Sequence, residues 1–128
     1  MSTQGGSKIE ARRIAPGLVR TLLVGHATPD LLQTIIDAVE TEIQKGQRPA
    51  VFHDWEGMTG YDSKARVSMT QWYAKVRKQV TGVHVLTKSR LVAMGVQVVA
   101  LAVGEDIKIY TSRTEFEEAY QRALARKR

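Results

Sequence analysis

From Thr28 onward, the apolar residues of this chain alternate between helical and strand spacing, which limits the fold more than any motif does. Leu32, Ile35, Ile36, Val39 and Ile43 recur at helical steps. Thr28 can cap this helix, Pro29 suits its first position, Asp30 complements its dipole, and Gly46 stands where a left-handed C-cap is usual. Pro49 opens a short run, Ala50 to Asp54, apolar on both faces, as in a central strand covered on two sides. Ala65, Met69, Trp72 and Val76 return to helical steps within a helix from about Ser63 to Gln79. Val83 to Leu86 reads as another strand.

The valine-rich run Leu91 to Val103 fits helix or strand by composition, and its length favours a helix from about Arg90, capped by Ser89. Leu91, Met94, Val98, Leu101 and Ala102 form its expected buried stripe. Ile107, Ile109 and Thr111 then alternate with Lys108 and Tyr110, as in an edge strand half open to water. Ser112 and Glu115 make a capping box, with Phe116, Ala119, Tyr120, Ala123 and Leu124 lining the last helix. Strands that alternate with helices imply a largely parallel sheet joined by right-handed crossovers.

Ahead of this lies a hairpin: Ile9 to Ile14, a Pro16-Gly17 turn, and Leu18 to Val24. Met1 to Lys8 is small and polar and is expected to be a disordered leader, leaving one domain over 9–126. The expected order is β-β-α-β-α-β-α-β-α.

Composition removes several classes of function. The chain has no cysteine, which excludes a disulfide scaffold, a thiolate metal site and a cysteine nucleophile. No apolar segment is long enough to span a bilayer, and no signal peptide is evident, so a cytoplasmic protein is expected. The net charge of +6 permits attraction to nucleic acid, acidic protein or anionic membrane, but much of it sits in Arg12-Arg13 and in Arg122, Arg126, Lys127 and Arg128.

The working surface is expected between Asp54 and Lys64, where a buried strand gives way to a loop with Gly57 and Gly60 and then to a helix start. Ser63 is a candidate phosphoacceptor, because a phosphate there meets free backbone N–H groups and the cations of Lys64 and Arg66. The simpler reading makes Asp62 or Ser63 only an N-cap. His53, Asp54 and Glu56 suggest a metal, yet His53 and Asp54 point to opposite faces of a strand, so no metal site is expected. A serine–histidine–aspartate set can be drawn from Ser63 or Ser68, His53 or His84, and Asp54, but the nucleophile elbow is missing. Gly57 to Gly60 is too short for a phosphate loop, and no cofactor or catalysis is expected. Trp55 and Tyr61 fall in the loop, either as exposed anchors for a partner or, for Trp55, as a lid on the core.

The element order, the strand-end Asp54 and the Asp62-Ser63 helix start resemble the STAS domains, the sulfate-transporter and anti-sigma-factor-antagonist family, and among them the SpoIIAA-like group. The resemblance implies a four- or five-stranded, mostly parallel sheet with helices mainly on one face. It also implies an Asp-Ser-Ser-Gly motif after the strand-end acid, with the second serine phosphorylated by a partner kinase that doubles as an anti-sigma factor. Here Asp62-Ser63 matches the first two motif positions; Lys64 stands at the phosphoacceptor position and Ala65 at the glycine.

The expected function is a non-catalytic regulatory domain of STAS type. It would dock a protein partner, an anti-sigma or kinase-like regulator or another, through Asp54, Trp55, Tyr61, Asp62, Lys64 and Arg66, with Ser63 as a phosphorylation switch. The alternative is a small-molecule or lipid-binding module with a pocket under residues 55–62. Nucleic-acid binding through the basic surface ranks last, and a homodimer through the edge strand is allowed.

Overall fold

The computed structural model describes residues 2–4, 6–105 and 107–127. Among these, β1 (Ser2–Gln4), β2 (Ser7–Ala15) and β3 (Leu18–Ala27) lead into α1 (Pro29–Gln44) and β4 (Ala50–Asp54). Then come β5 (Met58–Tyr61), α2 (Ser63–Val76), a 3-10 turn (Arg77–Gln79), β6 (Gly82–Leu86), α3 (Arg90–Val103), β7 (Ile107–Tyr110) and α4 (Arg113–Lys127). The sheet runs β1-β2-β3-β4-β6-β7, with β5 beside β3. β1, β2 and β3 are antiparallel; β3-β4, β4-β6, β6-β7 and β3-β5 are parallel. This is the mostly parallel α/β sheet expected from the alternation.

All five expected strands are present, and two more raise the count above four or five. β1 lies inside the segment expected to be a disordered leader, where Ser2, Thr3 and Gln4 pair with Ile9, Lys8 and Ser7. A strand edge at β2 supplies hydrogen bonds that composition does not reveal. Met1 and Gly5 lie outside the described residues. β5 falls in the expected loop. β3 is ten residues long and outlasts its pairing with β4, so its end at Gly25–Ala27 is left for Met58–Tyr61. Gly25 makes this possible: with φ of 92°, a Cβ there would stand 2.5 Å from the Ser7 hydroxyl oxygen.

The helices bury most of what their spacing predicts; α2 buries Ala65 and Val76 but also Tyr73, and leaves Met69 and Trp72 half-buried, and two exceptions are larger. α1 turns Leu32, Ile35, Ile36 and Val39 inward beneath the Thr28 cap, and Gly46 adopts φ of 84° after its end. α1, α2 and α3 cover one face over Ile9, Val19, Leu23, Val51 and Val85, while α4 covers the other over Leu18, Phe52 and Leu86. The helices thus lie mainly on one face.

Glu42 is the first exception. Although it lies outside the apolar stripe of α1, it is buried, accepts a hydrogen bond from the Gly17 N–H at 2.9 Å and pairs with Arg13 at 2.8 Å. It fastens the β2-β3 turn to α1. Burial pushes its carboxyl up, but these two partners outweigh burial and hold it below the usual carboxylate value.

The second exception is α3. It buries Val92, Gly95, Val96, Val99 and Val103 and exposes Leu91, Met94, Val98, Leu101 and Ala102, the stripe expected inside. An almost wholly apolar helix has no spacing that selects a face. Tertiary contact selects it: a Cβ on Gly95 would lie 2.6 Å from the Tyr61 hydroxyl oxygen, so only a glycine-bearing face packs there.

Candidate functional site

The carboxyl end of β4 divides its side chains between the two faces, as alternation requires. Phe52 and Asp54 face α4; His53 and Trp55 face α1, α2 and α3. His53 and Asp54 therefore do not share an ion, and no group of three or more metal-ligating side chains occurs among the described residues.

On the α4 side, Asp54 is buried and gripped by Arg113, at 2.8 and 3.0 Å. Arg113 also reaches Glu56 at 2.7 Å and Glu117 at 2.8 Å, while Arg20 holds Glu117 at 2.7 Å through both of its terminal nitrogens. Hydrogen bonds to Asp54, then to Glu56, raise the Arg113 pKa, and the Arg20 hydrogen bond lowers that of Glu117. Asp54, expected on the docking surface, is thus occupied within the fold. Arg113 and Glu117 are four apart on α4, a spacing the sequence does show, but their pairing with Arg20, Asp54 and Glu56 joins residues too far apart in sequence to leave one.

On the other side lies an apolar cavity of about 80 Å³. His53, Trp55, Met58, Tyr61, Trp72 and Val96 are among its lining residues, and Arg66 is the charged side chain in the lining. Trp55 is buried and stacks on His53 with ring centroids 4.6 Å apart. Of the readings offered for Trp55, the lid on the core holds and the exposed anchor does not. The strand alternation that sends His53 inward carries Trp55 with it, and the Trp55 backbone N–H donates to Leu86 O at 2.9 Å. Tyr61 belongs to β5 rather than to a loop and is half-buried against α3. The indole N–H groups of Trp55 and Trp72 are buried without a protein partner.

His53 is neutral: burial, with His84 nearby, pushes its pKa down to about 3, and its Nδ1 lies 2.7 Å from the Thr21 hydroxyl. His84 is pushed down to about 4 by burial and by Lys108, Arg126 and Arg122. It stacks on Phe52 on the α4 side, so a serine–histidine–aspartate set around Ser63 does not assemble from it.

The start of α2 is open. Asp62 occupies the N-cap position, but its side chain makes no capping bond; it pairs with His26 Nε2 at 2.7 Å. Ser63 and Lys64 are exposed and Arg66 is half-buried. Of the residues expected to act together, Asp62, Ser63 and Lys64 share the surface. Trp55, Tyr61 and Arg66 share the cavity, and Asp54 is turned away from both.

No family model matches the chain, and no curated protein matches it. Solved structures do. An uncharacterized protein with a SpoIIAA-like fold from Shewanella loihica superposes with TM-score 0.66 at 14% identity, covering 92% of this chain and 97% of its own. The unphosphorylated anti-sigma factor antagonist SpoIIAA gives 0.67 at 14%, covering 91% and 97%. An anti-sigma factor antagonist from Mycobacterium paratuberculosis gives 0.62 at 13%, covering 93% and 97%. With these similarities along nearly the whole chain, the expected order of elements and the strand-end aspartate before the α2 start, the chain has the SpoIIAA-like fold of the STAS domains.

Proposed function

We propose that this chain is a non-catalytic regulatory domain of STAS type that binds a small apolar molecule carrying a hydrogen-bond acceptor, beneath α2 and α3. The observation that carries the reading is the pair of partnerless indole N–H groups, of Trp55 and Trp72, on residues that line one apolar cavity. A buried N–H without an acceptor costs about 1–3 kcal/mol, and a ligand oxygen that accepts from either one offsets that cost. Arg66 favours an acceptor that is anionic, such as a carboxylate. At about 80 Å³ the cavity is roughly half the size of one that holds benzene. It takes a short chain as it stands, and a longer one lifts α2, whose buried residues are Ala65, Tyr73 and Val76.

The test is thermal shift with 1-hexanol and hexanoate, since a ligand that binds only the native state raises the melting temperature. The wild type is expected to respond to both, and Val96→Phe, which fills the cavity, to neither. A response that survives Val96→Phe places binding elsewhere.

A second reading is docking of a protein partner at Asp62, Ser63 and Lys64, with Ser63 phosphorylated. It is favoured by the exposure of Ser63 on the first turn of α2, beside Lys64. Two of the structural neighbours are described as anti-sigma factor antagonists. Intact mass with site mapping, on protein from its own cells, tests the switch; unmodified Ser63 removes it.

A further inference from the structure

The solvent side of α2 and α3 carries an aliphatic stripe and an excess of cations, of which Arg66 also lines the cavity, Arg77 donates to Val103 O, and Lys88 donates to Thr111 O and pairs with Glu56. On α3, Leu91, Met94, Val98 and Leu101 are exposed by 54%, 61%, 45% and 83%. Their steps of three, four and three align them along one side of the helix. From Ser63 to Gly104, moreover, the sequence contains no carboxylate and seven cations: Lys64, Arg66, Lys75, Arg77, Lys78, Lys88 and Arg90. Among the described residues, no carboxylate pairs with Lys64, Lys75, Lys78 or Arg90, all exposed. α2 packs against α3, so the aliphatic stripe and the cations belong to one layer.

We infer that this layer docks on an anionic lipid surface. α3 lies in the plane of the interface, with Leu91, Met94, Val98 and Leu101 among the acyl chains and the cations at the headgroups. Among the described residues, no helix is long and apolar enough to cross a membrane. Charge argues against a second copy, which would set Lys64, Lys75, Lys78 and Arg90 against their own counterparts. Nucleic acid would use the cations and leave the aliphatic stripe in water. Protein interfaces are enriched in aromatic side chains at their centre; on the exposed side of α3 there is none, and Gln97 is the neutral polar residue. Lipid accepts an aliphatic stripe without such groups.

This inference goes beyond the cavity reading and does not depend on it. If both hold, the membrane is where an apolar ligand is collected, because Val92, Gly95, Val96 and Val99 on the inner side of α3 line the cavity.

The experiment is co-sedimentation with vesicles of phosphatidylcholine alone and of equal parts phosphatidylcholine and phosphatidylglycerol. Binding to the anionic vesicles is expected to be stronger by about tenfold or more and to fall with added salt. Met94→Glu with Leu101→Glu is expected to weaken it by about tenfold or more, while the circular dichroism spectrum and the hexanol response stay unchanged, because both side chains face solvent. Equal binding to both vesicle types, no binding, or full binding by the double variant overturns the proposal. So does capture of acidic proteins from a lipid-free lysate by wild type but not by the variant, without vesicle binding; that result assigns the patch to a protein. Vesicle binding without a hexanol response upholds docking and removes the cavity reading.

Discussion

Arg113, in the first turn of α4, holds Asp54, at the end of β4, through two hydrogen bonds of 2.8 and 3.0 Å. This pair ties α4 to the carboxyl end of the sheet and withdraws Asp54 from the surface. Arg113 is partly exposed and Arg20 stands 3.5 Å from Asp54, so the pair contributes less than a fully buried one. Arg113→Met is expected to cost about 1–3 kcal/mol, read from the urea midpoint, because the buried carboxylate keeps only Arg20 and a long bond from the Glu56 N–H. No loss would mean that these two satisfy Asp54.

Glu42→Gln tests the clasp between the hairpin turn and α1. The carboxyl's folded pKa lies below its ordinary value of 4.5, so its contribution is present above that value and is lost as the pH falls through the folded pKa. The variant is expected to be less stable at neutral pH by about 1–3 kcal/mol. The gap to wild type is expected to narrow in acid. A gap that is constant with pH would contradict a charged role.

His53 and His84 act in the opposite direction. Both are held neutral, with pKa values near 3 and 4 against the ordinary 6.5. Below 6.5 the unfolded chain binds protons that the folded one refuses, so stability falls as the pH drops from about 6.5 toward 4. The urea midpoint of the wild type is expected to drop over that range, and that of His84→Phe to drop less. A flat profile would show that the histidines protonate freely in the fold.

Gly95→Ala sets two effects against each other. Within a helix, alanine is better than glycine by about 1 kcal/mol. Here its Cβ would meet the Tyr61 hydroxyl oxygen at 2.6 Å and the ring at 2.7 and 2.8 Å, and such overpacking costs about 1–3 kcal/mol. The net effect is expected to be destabilising. In a Tyr61→Ala background the sign should reverse. The same sign in both backgrounds would mean that the ring moves aside without cost.

The fold was legible because α1, β4 and α4 each carry one unambiguous period: Leu32 to Val39, Ala50 to Asp54, Phe116 to Ala123. β5 was hidden because Gly57 and Gly60 resemble a turn, and its reason to exist is the unpaired end of β3. α3 was read with the wrong face because apolar residues surround it; the choice lies in the contact between Gly95 and Tyr61, which no local pattern records. The site was half legible. The position of the stretch 54–66 and the opposite faces of His53 and Asp54 followed from strand alternation. The Arg113 grip and the part of the cavity lining that comes from α3 did not, since they depend on residues brought together by crossovers.

Binding in the cavity is read from the indole region of a ¹⁵N–¹H correlation spectrum. The chain has two tryptophans, Trp55 and Trp72, so the region holds two indole peaks, and both indole N–H groups belong to residues lining the cavity. Titration with 1-hexanol is expected to move both peaks downfield in a saturable way, as an oxygen accepts from the N–H groups, and Val96→Phe is expected to abolish the movement. Indole peaks that stay fixed while the rest of the spectrum reports a folded protein would contradict the proposal that this cavity is a binding site.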